Sequence, residues 1–405
     1  MVSSGTEFAV IADNVFDGTA LRRDCAVVIE GSFILRLVPT AELPPDTPTR
    51  RLPEGVWLAP GFIDTQVNGG ADVLFNDDPS PEGIAAIATA HQRFGTTALL
   101  PTLISDTREK MRAARDAVDA AARVDPRIIG VHYEGPFLSP DKPGVHEKSM
   151  ICHPEPGDFE MLTSLHNGVT LVTLAPEEVP AGFVAQLSGA GVRVALGHSM
   201  ATYAQTRAAL CEGLSGFTHL FNAMRPLESR EPGPVAAALE EPGAWFGMIV
   251  DGKHVAPAML RLALRGVGRP MLVSDAMPPV GGRRENFTLY GRPIAVDGGR
   301  CAAADGKLAG SVLDMASAVR NCVRLLDMPL IAALHLASAA PAAFLGIEHW
   351  LGHLAPGYRA DMAALDPAEV RIRATWVAGA ETPADGESAG APDTARHAAM
   401  RPGPG

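Results

Sequence analysis

The sequence predicts an α/β protein: an eight-stranded TIM-type barrel with a small β-sandwich domain formed from its N- and C-terminal segments. Three observations carry this expectation. From Trp57 onward, short apolar runs alternate with helical stretches, the pattern of βα units around a parallel sheet. Eight such runs can be counted over roughly 300 residues, which favours a closed barrel over an open doubly wound sheet. No GxGxxG follows the first run, so the main cue for a dinucleotide-binding sheet is missing.

The chain opens with strand-like segments, "EFAVIADNVFDG" and "CAVVIEGSFILRLV", and then a Pro-rich turn, "LPPDTPTR". Residues 1–56 therefore read as part of a small β unit. The eight barrel strands are "WLAPGFIDTQV", "TTALLPTL", "RIIGVHYE", "VTLVTLA", "VRVALGH", "GFTHLFN", "WFGMIVD" and "PMLVSDA". Helices are expected in "TREKMRAARDAVDAAARV", "TYAQTRAALCEG" and "PAMLRLALRGV". After the eighth strand, "RENFTLYGRPIAVDGGRCAAADGKLAG" reads as an insertion of hairpins. Two helices follow, "SVLDMASAVRNCVRLLD" and "PLIAALHLASAAPAAFLG", which close a barrel domain over 57–355. Residues 356–380 return to strand character and are expected to pair with the N-terminal strands. The tail, 381–405, is rich in Ala, Gly, Pro and Asp and is expected to be disordered.

Bulk properties limit the function. The chain has 405 residues and 47% hydrophobic content, ample for a large core. A formal net charge of -12 with no long basic run argues against nucleic acid or an anionic membrane as partner. A phosphorylated small molecule stays open, because a phosphate needs only a local site. The five cysteines are scattered without a CxxC, as in reduced cytosolic proteins. The start lacks the basic and apolar regions of a signal peptide, and no apolar run approaches the roughly 20 residues of a membrane span. A soluble cytoplasmic protein is the expectation.

In such a barrel the chemistry gathers at the C-terminal ends of the strands. The third strand ends at Glu134 and the fifth at His198. The sixth carries His219 and Asn222, the seventh runs toward Asp251 and His254, and the eighth ends near Asp275. Any one of these has an ordinary reading as a satisfied polar residue. Together, one carboxylate and two imidazoles from separate strands make a His2Glu set, a known catalytic zinc arrangement. Asp275 then stands where a general base belongs. In the first strand, Gln66 and Asn68 occupy the places where many barrel metallohydrolases carry His-x-His. Amides are poor zinc ligands, so the pattern suits one metal rather than two. Gln66 and Asn68 could hydrogen-bond water on the metal, fill the vacated second position, or simply cap the barrel floor. Asp64 and His132 share strand parity with Gln66 and Glu134 and should point inward. Asp251 is placed to orient His254.

The segments "PGFIDTQVNGG", "HYEGPFLSPDKPGVHEKSM", "LGHSMATY", "FTHLFNAMRPLESREPG", "VDGKHVAP" and "LVSDAM" occur in this order. The series resembles the N-acetylglucosamine-6-phosphate deacetylases of the amidohydrolase superfamily, in their single-metal Gln-x-Asn branch. "LAGS" at 308–311 and "ASAAPAAFLGI" at 337–347 extend the resemblance. It implies a hydrolase of a linear amide that removes acetate from N-acetyl-D-glucosamine 6-phosphate, in amino-sugar catabolism and cell-wall recycling. It also implies that Glu134, His198 and His219 hold one divalent metal. Zinc is the first expectation, with iron, manganese or cobalt as alternatives. Asp275 is implied as the proton carrier and His146 as the group that polarises the acetyl carbonyl. Asn222, the Ala223 N–H, Arg230 and His254 are implied to bind the phosphate, with Gln66 and Asn68 also facing substrate. Arg230 and His254 are implied to reach a neighbouring subunit's site, which makes the protein a homodimer. The same chemistry on N-acetylgalactosamine 6-phosphate or another N-acyl substrate is the near alternative. A non-catalytic sugar-phosphate sensor is the alternative from another class.

Overall fold

The structure is a computed structural model in which residues 7–383 are described. Eight parallel strands form the central sheet in chain order: β1 (Phe62–Val67), β2 (Thr96–Ile104), β3 (Gly130–Glu134), β4 (Val169–Leu174), β5 (Arg193–Leu196), β6 (Gly216–Phe217), β7 (Trp245–Met248) and β8 (Arg269–Leu272). A parallel bridge between Val67 and Ala276 joins the end of β8 back to β1 and closes the ring. These strands are buried on both faces, so they read as continuous apolar runs rather than as alternation. One large apolar cluster joins the strands to the surrounding helices.

Local chemistry sets the helix starts. Ser80 accepts from Gly83 N, Thr107 from Lys110 N and Asp314 from Ser317 N, so each caps its helix. Thr202 and Gln205 form a reciprocal capping box. The run expected as one helix from Pro329 is two, Leu330–Ala337 and Ala339–Leu345. The break falls at Ser338, whose φ of -132° and ψ of -76° are not helical.

The N- and C-terminal segments meet in a second sheet. Its order is 380–383, 371–377, 362–366, 57–60, 8–16, 21–30 and 33–39, with 49–51 beside 8–16. The run "WLAPGFIDTQV", expected as one barrel strand, is therefore two. Trp57–Pro60 pairs with Phe8–Phe16 and Met362–Asp366, and only Phe62–Val67 enters the barrel. Gly61 is the crossing point. A Cβ there would lie 2.0 Å from Thr97 Oγ1, so only glycine permits the approach. Both halves are buried and apolar, which hides the crossing from sequence patterning. Glu381, where the tail is expected to begin, lies in a strand, because Ala380–Pro383 pairs with Arg371–Val377. Residues 384–405, on which the rest of that expectation falls, lie outside the described residues.

The hairpin insertion is a four-stranded antiparallel sheet, with strands at 286–289, 292–297, 300–302 and 308–311. Its apolar face packs Phe287, Leu289, Ile294 and Cys301 against Leu74, Ile104 and Met277. Ile104 ends β2 and Met277 follows Asp275, so this sheet lies over the C-terminal mouth of the barrel. No helix among the described residues is long and apolar enough to cross a membrane.

A buried ion pair fastens the small sheet to the barrel. Arg359 Nε donates to Asp361 Oδ1 at 2.9 Å, and its Nη1 donates to Pro126 O at 2.7 Å on the barrel side. Asp361 also accepts from Ala378 N, and its carbonyl accepts from Gly61 N. Arg359 and Asp361 are 8% and 4% exposed. Removing one partner leaves an uncompensated buried charge. Asp361→Ala should therefore lower stability by about 3–5 kcal/mol, measured as a shift in the urea unfolding midpoint at constant slope.

Candidate metal centre

The side chains that converge at the barrel mouth come from the ends of different strands. Glu134 is the last residue of β3. His198 lies two residues beyond β5, His219 two beyond β6, and Asp275 three beyond β8. Their backbones are unusual: φ is 49° at His198, 31° at His219 and 52° at Asp275. Non-glycine residues in this left-handed region cost about 1–3 kcal/mol each and need surrounding structure to hold them. That support is visible. Ser199 N donates to Ala223 O, and Glu177 accepts from Ser199 Oγ at 2.7 Å and from Met200 N. Leu220 N donates to Gly247 O, and Asp275 N donates to Gln66 O.

Three ligand atoms meet at one point. Glu134 Oε1 lies 3.1 Å from His198 Nε2 and 2.9 Å from His219 Nε2, and the two nitrogens are 3.1 Å apart. The three residues are buried. His198 Nδ1 lies 2.9 Å from Lys142 O, which can only accept, so Nδ1 carries the proton. Its Nε2 therefore presents a bare lone pair toward a carboxylate oxygen and a second imidazole. Such convergence of donor lone pairs suits a divalent cation, and the chemistry of the set fits one. Burial alone would raise Glu134, but hydrogen bonds and charge from His198 and His219 hold it well below the ordinary carboxylate range. Burial would lower His219, yet Glu134 and Asp275 outweigh it and hold the imidazole above its usual value. His219 Nδ1 is buried without a hydrogen-bond partner. Gly144 abuts this centre at φ 56°, and a Cβ there would come within 3.0 Å of His198 Cε1.

Asp275 faces the same space with the opposite electrostatics. Burial and the Glu134 charge push its carboxyl up to about 6, against the pull of His219, His254 and the Asn68 amide. Its Oδ1 accepts from Asn68 Nδ2 at 2.7 Å and Gln66 Nε2 at 3.2 Å. The two amides that stand where many barrel metallohydrolases carry His-x-His thus donate to this carboxylate. Asp64 lies one step deeper, where its Oδ1 accepts from Gln66 N and Ser274 N. His132 is buried between Thr173 and Thr102, and burial pushes it down to about 4.

His146 sits on the loop after β3 with its ring centroid 4.4 Å from that of His198. Its Nδ1 accepts from Ser105 N at 3.2 Å and lies 2.8 Å from Ser105 Oγ. A ring nitrogen that accepts from a backbone N–H is unprotonated, so the proton is on Nε2. Burial first, then the neighbouring His198, push His146 down to about 3, leaving a neutral N–H donor. Ser105 follows β2 directly and was not singled out by the sequence. The strand-end rule, applied to the second strand as to the others, would have found it.

Asn68, Glu134, His146, His198, His219 and Asp275 line one cavity of about 530 Å³, a volume suited to a small molecule. Asn222, Ala223 and His254 line it too. Phe221 and Ala223 have φ of 78° and 48°, a compound left-handed turn of the kind that presents backbone N–H groups to anions. His254 Nδ1 is 2.7 Å from Asp251 Oδ2, as expected of an orienting carboxylate. His254 lines the wall of its own chain's cavity, where the Asp251 contact holds the ring. Gln66 and Arg230 do not line this cavity. Gln66 lies beneath it, at the level of His132. Arg230 is exposed and makes no ion pair with Glu228 or Glu231 among the described residues.

The model of the amidohydrolase family matches residues 57–385. An N-acetylgalactosamine-6-phosphate deacetylase of Shewanella sp. (strain ANA-3) is 41% identical over 381 residues, covering 92% of this chain and 96% of that one. An N-acetylglucosamine-6-phosphate deacetylase of Haemophilus influenzae is 33% identical, covering 89% of this chain and 96% of that one. The crystal structure of N-acetylglucosamine-6-phosphate deacetylase from Pasteurella multocida superposes with a TM-score of 0.90 at 31% identity, covering 93% of this chain and all of that one.

The Asn68 contact has a measurable consequence. Asp275 is raised to about 6, so in the metal-free protein it is ionised above that pH and protonated below. The Asn68 amide favours the ionised form. Asn68→Ala should move the midpoint upward by about 0.5–1 unit, followed by the carbon-13 carboxyl resonance of labelled, metal-free protein.

Proposed function

Because this chain belongs to the amidohydrolase family, we propose that it is a metal-dependent deacetylase that removes acetate from N-acetyl-D-glucosamine 6-phosphate. The observation that carries this reading is a single cavity lined by a Glu-His-His cluster, a raised carboxylate and a neutral imidazole donor. A divalent ion held by Glu134, His198 and His219 would supply Lewis acidity and lower the pKa of an attacking water. Asp275 accepts the proton of that water on its free carboxylate oxygen and returns it to the departing nitrogen. Burial and the Glu134 charge raise this carboxyl above the ordinary carboxylate range, and the cation would pull it back toward the ionised form that a base needs. His146, with its proton on Nε2, donates to the acyl oxygen as negative charge builds there. Gln66 and Asn68 hold Asp275 in line.

At the other end of the cavity, the Asn222–Ala223 turn and His254 take the 6-phosphate. Binding energy gathered there orients the acetamido group for attack. Arg230, exposed and outside its own cavity, is the residue we assign to a neighbouring subunit's phosphate, in a homodimer. The His2Glu donor set makes zinc the first choice, with iron, manganese or cobalt as alternatives. The free, scattered cysteines suit the cytoplasm. A second reading, the galacto epimer as preferred substrate, is favoured by the 41% identity to the Shewanella deacetylase of that sugar.

Acetate release tests the function. Metal-loaded protein should hydrolyse the 6-phosphorylated N-acetylhexosamine, and a chelator should abolish turnover; the rate ratio between the two epimers selects the reading. Tight binding with no release would leave only a sensor. Asp275→Asn should keep its metal by elemental analysis and lose about 10²–10⁴-fold in kcat. Arg230→Ala should cost about ten- to a hundredfold in kcat/KM on the phosphorylated sugar and less than about twofold on the unphosphorylated one. Equal losses on both sugars would remove Arg230 from phosphate binding.

A further inference from the structure

The hairpin insertion carries an unusual turn. Leu289 pairs with Arg292, so Tyr290 and Gly291 alone make the connection. Their φ values are 50° and 73°, both left-handed. Such two-residue turns favour Asn-Gly or Asp-Gly, because the first place strains a bulky side chain. A tyrosine there is explained by what it touches. Its hydroxyl donates to Ser105 O at 2.5 Å, and its ring packs on the cluster that contains Ile104 and Met277. Burial holds the phenol above its ordinary value, so it remains a donor at neutral pH.

Ser105 is the residue whose N–H and hydroxyl hold His146 Nδ1. Ser105 lies just past the last ladder residue of β2, where sheet hydrogen bonds no longer fix the backbone. Across the same turn, Arg292 pairs with Glu147, the residue after His146. The tip of the insertion therefore grips the His146 loop at two points, one through Ser105 and one beside the histidine.

We propose that Tyr290, supported by Arg292, is a positioning residue for the hydrolysis, which aims the His146 Nε2–H at the acyl oxygen by fixing Ser105. This rests on the reading of His146 given above. Tyr290 touches no reacting atom; it acts through Ser105 and His146. The effect belongs to the transition state, where the oxyanion forms, and not to ground-state binding at the distant phosphate.

Tyr290→Phe removes only the hydroxyl. It should lower kcat about tenfold, leave KM within about twofold and leave metal content unchanged. In a His146→Asn background the same change should have no further effect, because the group it aims is gone. The idea is overturned by an unaltered kcat, by a rise in KM alone, or by an undiminished tenfold loss in the His146→Asn background. Should Tyr290→Phe not fold, Arg292→Gln, at an exposed position, decides by the same criteria with a loss of about threefold. Wild-type protein run alongside separates the two levels. No acetate from metal-loaded wild type refutes the deacetylase reading, whereas normal wild-type turnover beside a silent variant refutes only the role of the hairpin.

Discussion

The meeting of Glu134 Oε1, His198 Nε2 and His219 Nε2 within 3.1 Å of one another is the constraint around which the rest of this molecule is arranged. Three lone-pair donors do not gather in a buried space without a cation or a shared proton to hold them. The groups come from positions 134, 198 and 219, at the ends of β3, β5 and β6, which consecutive parallel pairing sets side by side. Closure of the ring depends on the Val67–Ala276 bridge. The left-handed backbones at His198 and His219 aim the rings inward, and side chains such as Glu177 hold those backbones in place. Local strain is thus carried by the residues just beyond the strands.

Two carboxylates share this small volume and are driven apart. Glu134 is pulled down by the imidazoles that bond it, and Asp275 is pushed up by burial and by Glu134 itself. The same small volume therefore favours the charged form of the first and the neutral form of the second. Gln66 and Asn68 moderate the second shift by donating to one oxygen of Asp275. A pair of neutral histidines in those two places would have presented lone pairs able to ligate a metal. The amides instead donate to Asp275 and tether it.

The three parts of the chain divide the work. The barrel supplies the Glu134-His198-His219 cluster and Asp275, and its cavity wall supplies the turn at Asn222–Ala223. The small sheet, fastened through Arg359 and Asp361, ties the two ends of the chain to the barrel where β1 begins. The hairpin insertion covers the mouth and reaches down through Tyr290 to the residue that orients His146. The insertion is part of the site rather than an ornament on it.

What the sequence determined by itself was whatever depends on local pattern. Alternating apolar runs and helices announced the barrel, because each strand and its helix must bury the same kind of face. Glu134, His198, His219 and Asp275 were legible because strand ends in a barrel all face one mouth. His146 and Arg230 could be singled out only through a family resemblance, since a histidine or arginine in a loop has no periodicity to betray it. The tertiary structure alone decided the rest. It showed that Gln66 and Asn68 serve Asp275, separated by 209 and 207 residues. It divided the run at Gly61 between two sheets and brought Tyr290 to Ser105 across 185 residues. Contacts of that span are fixed by closure of the ring and by the docking of one sheet on another, and no window of sequence contains both partners.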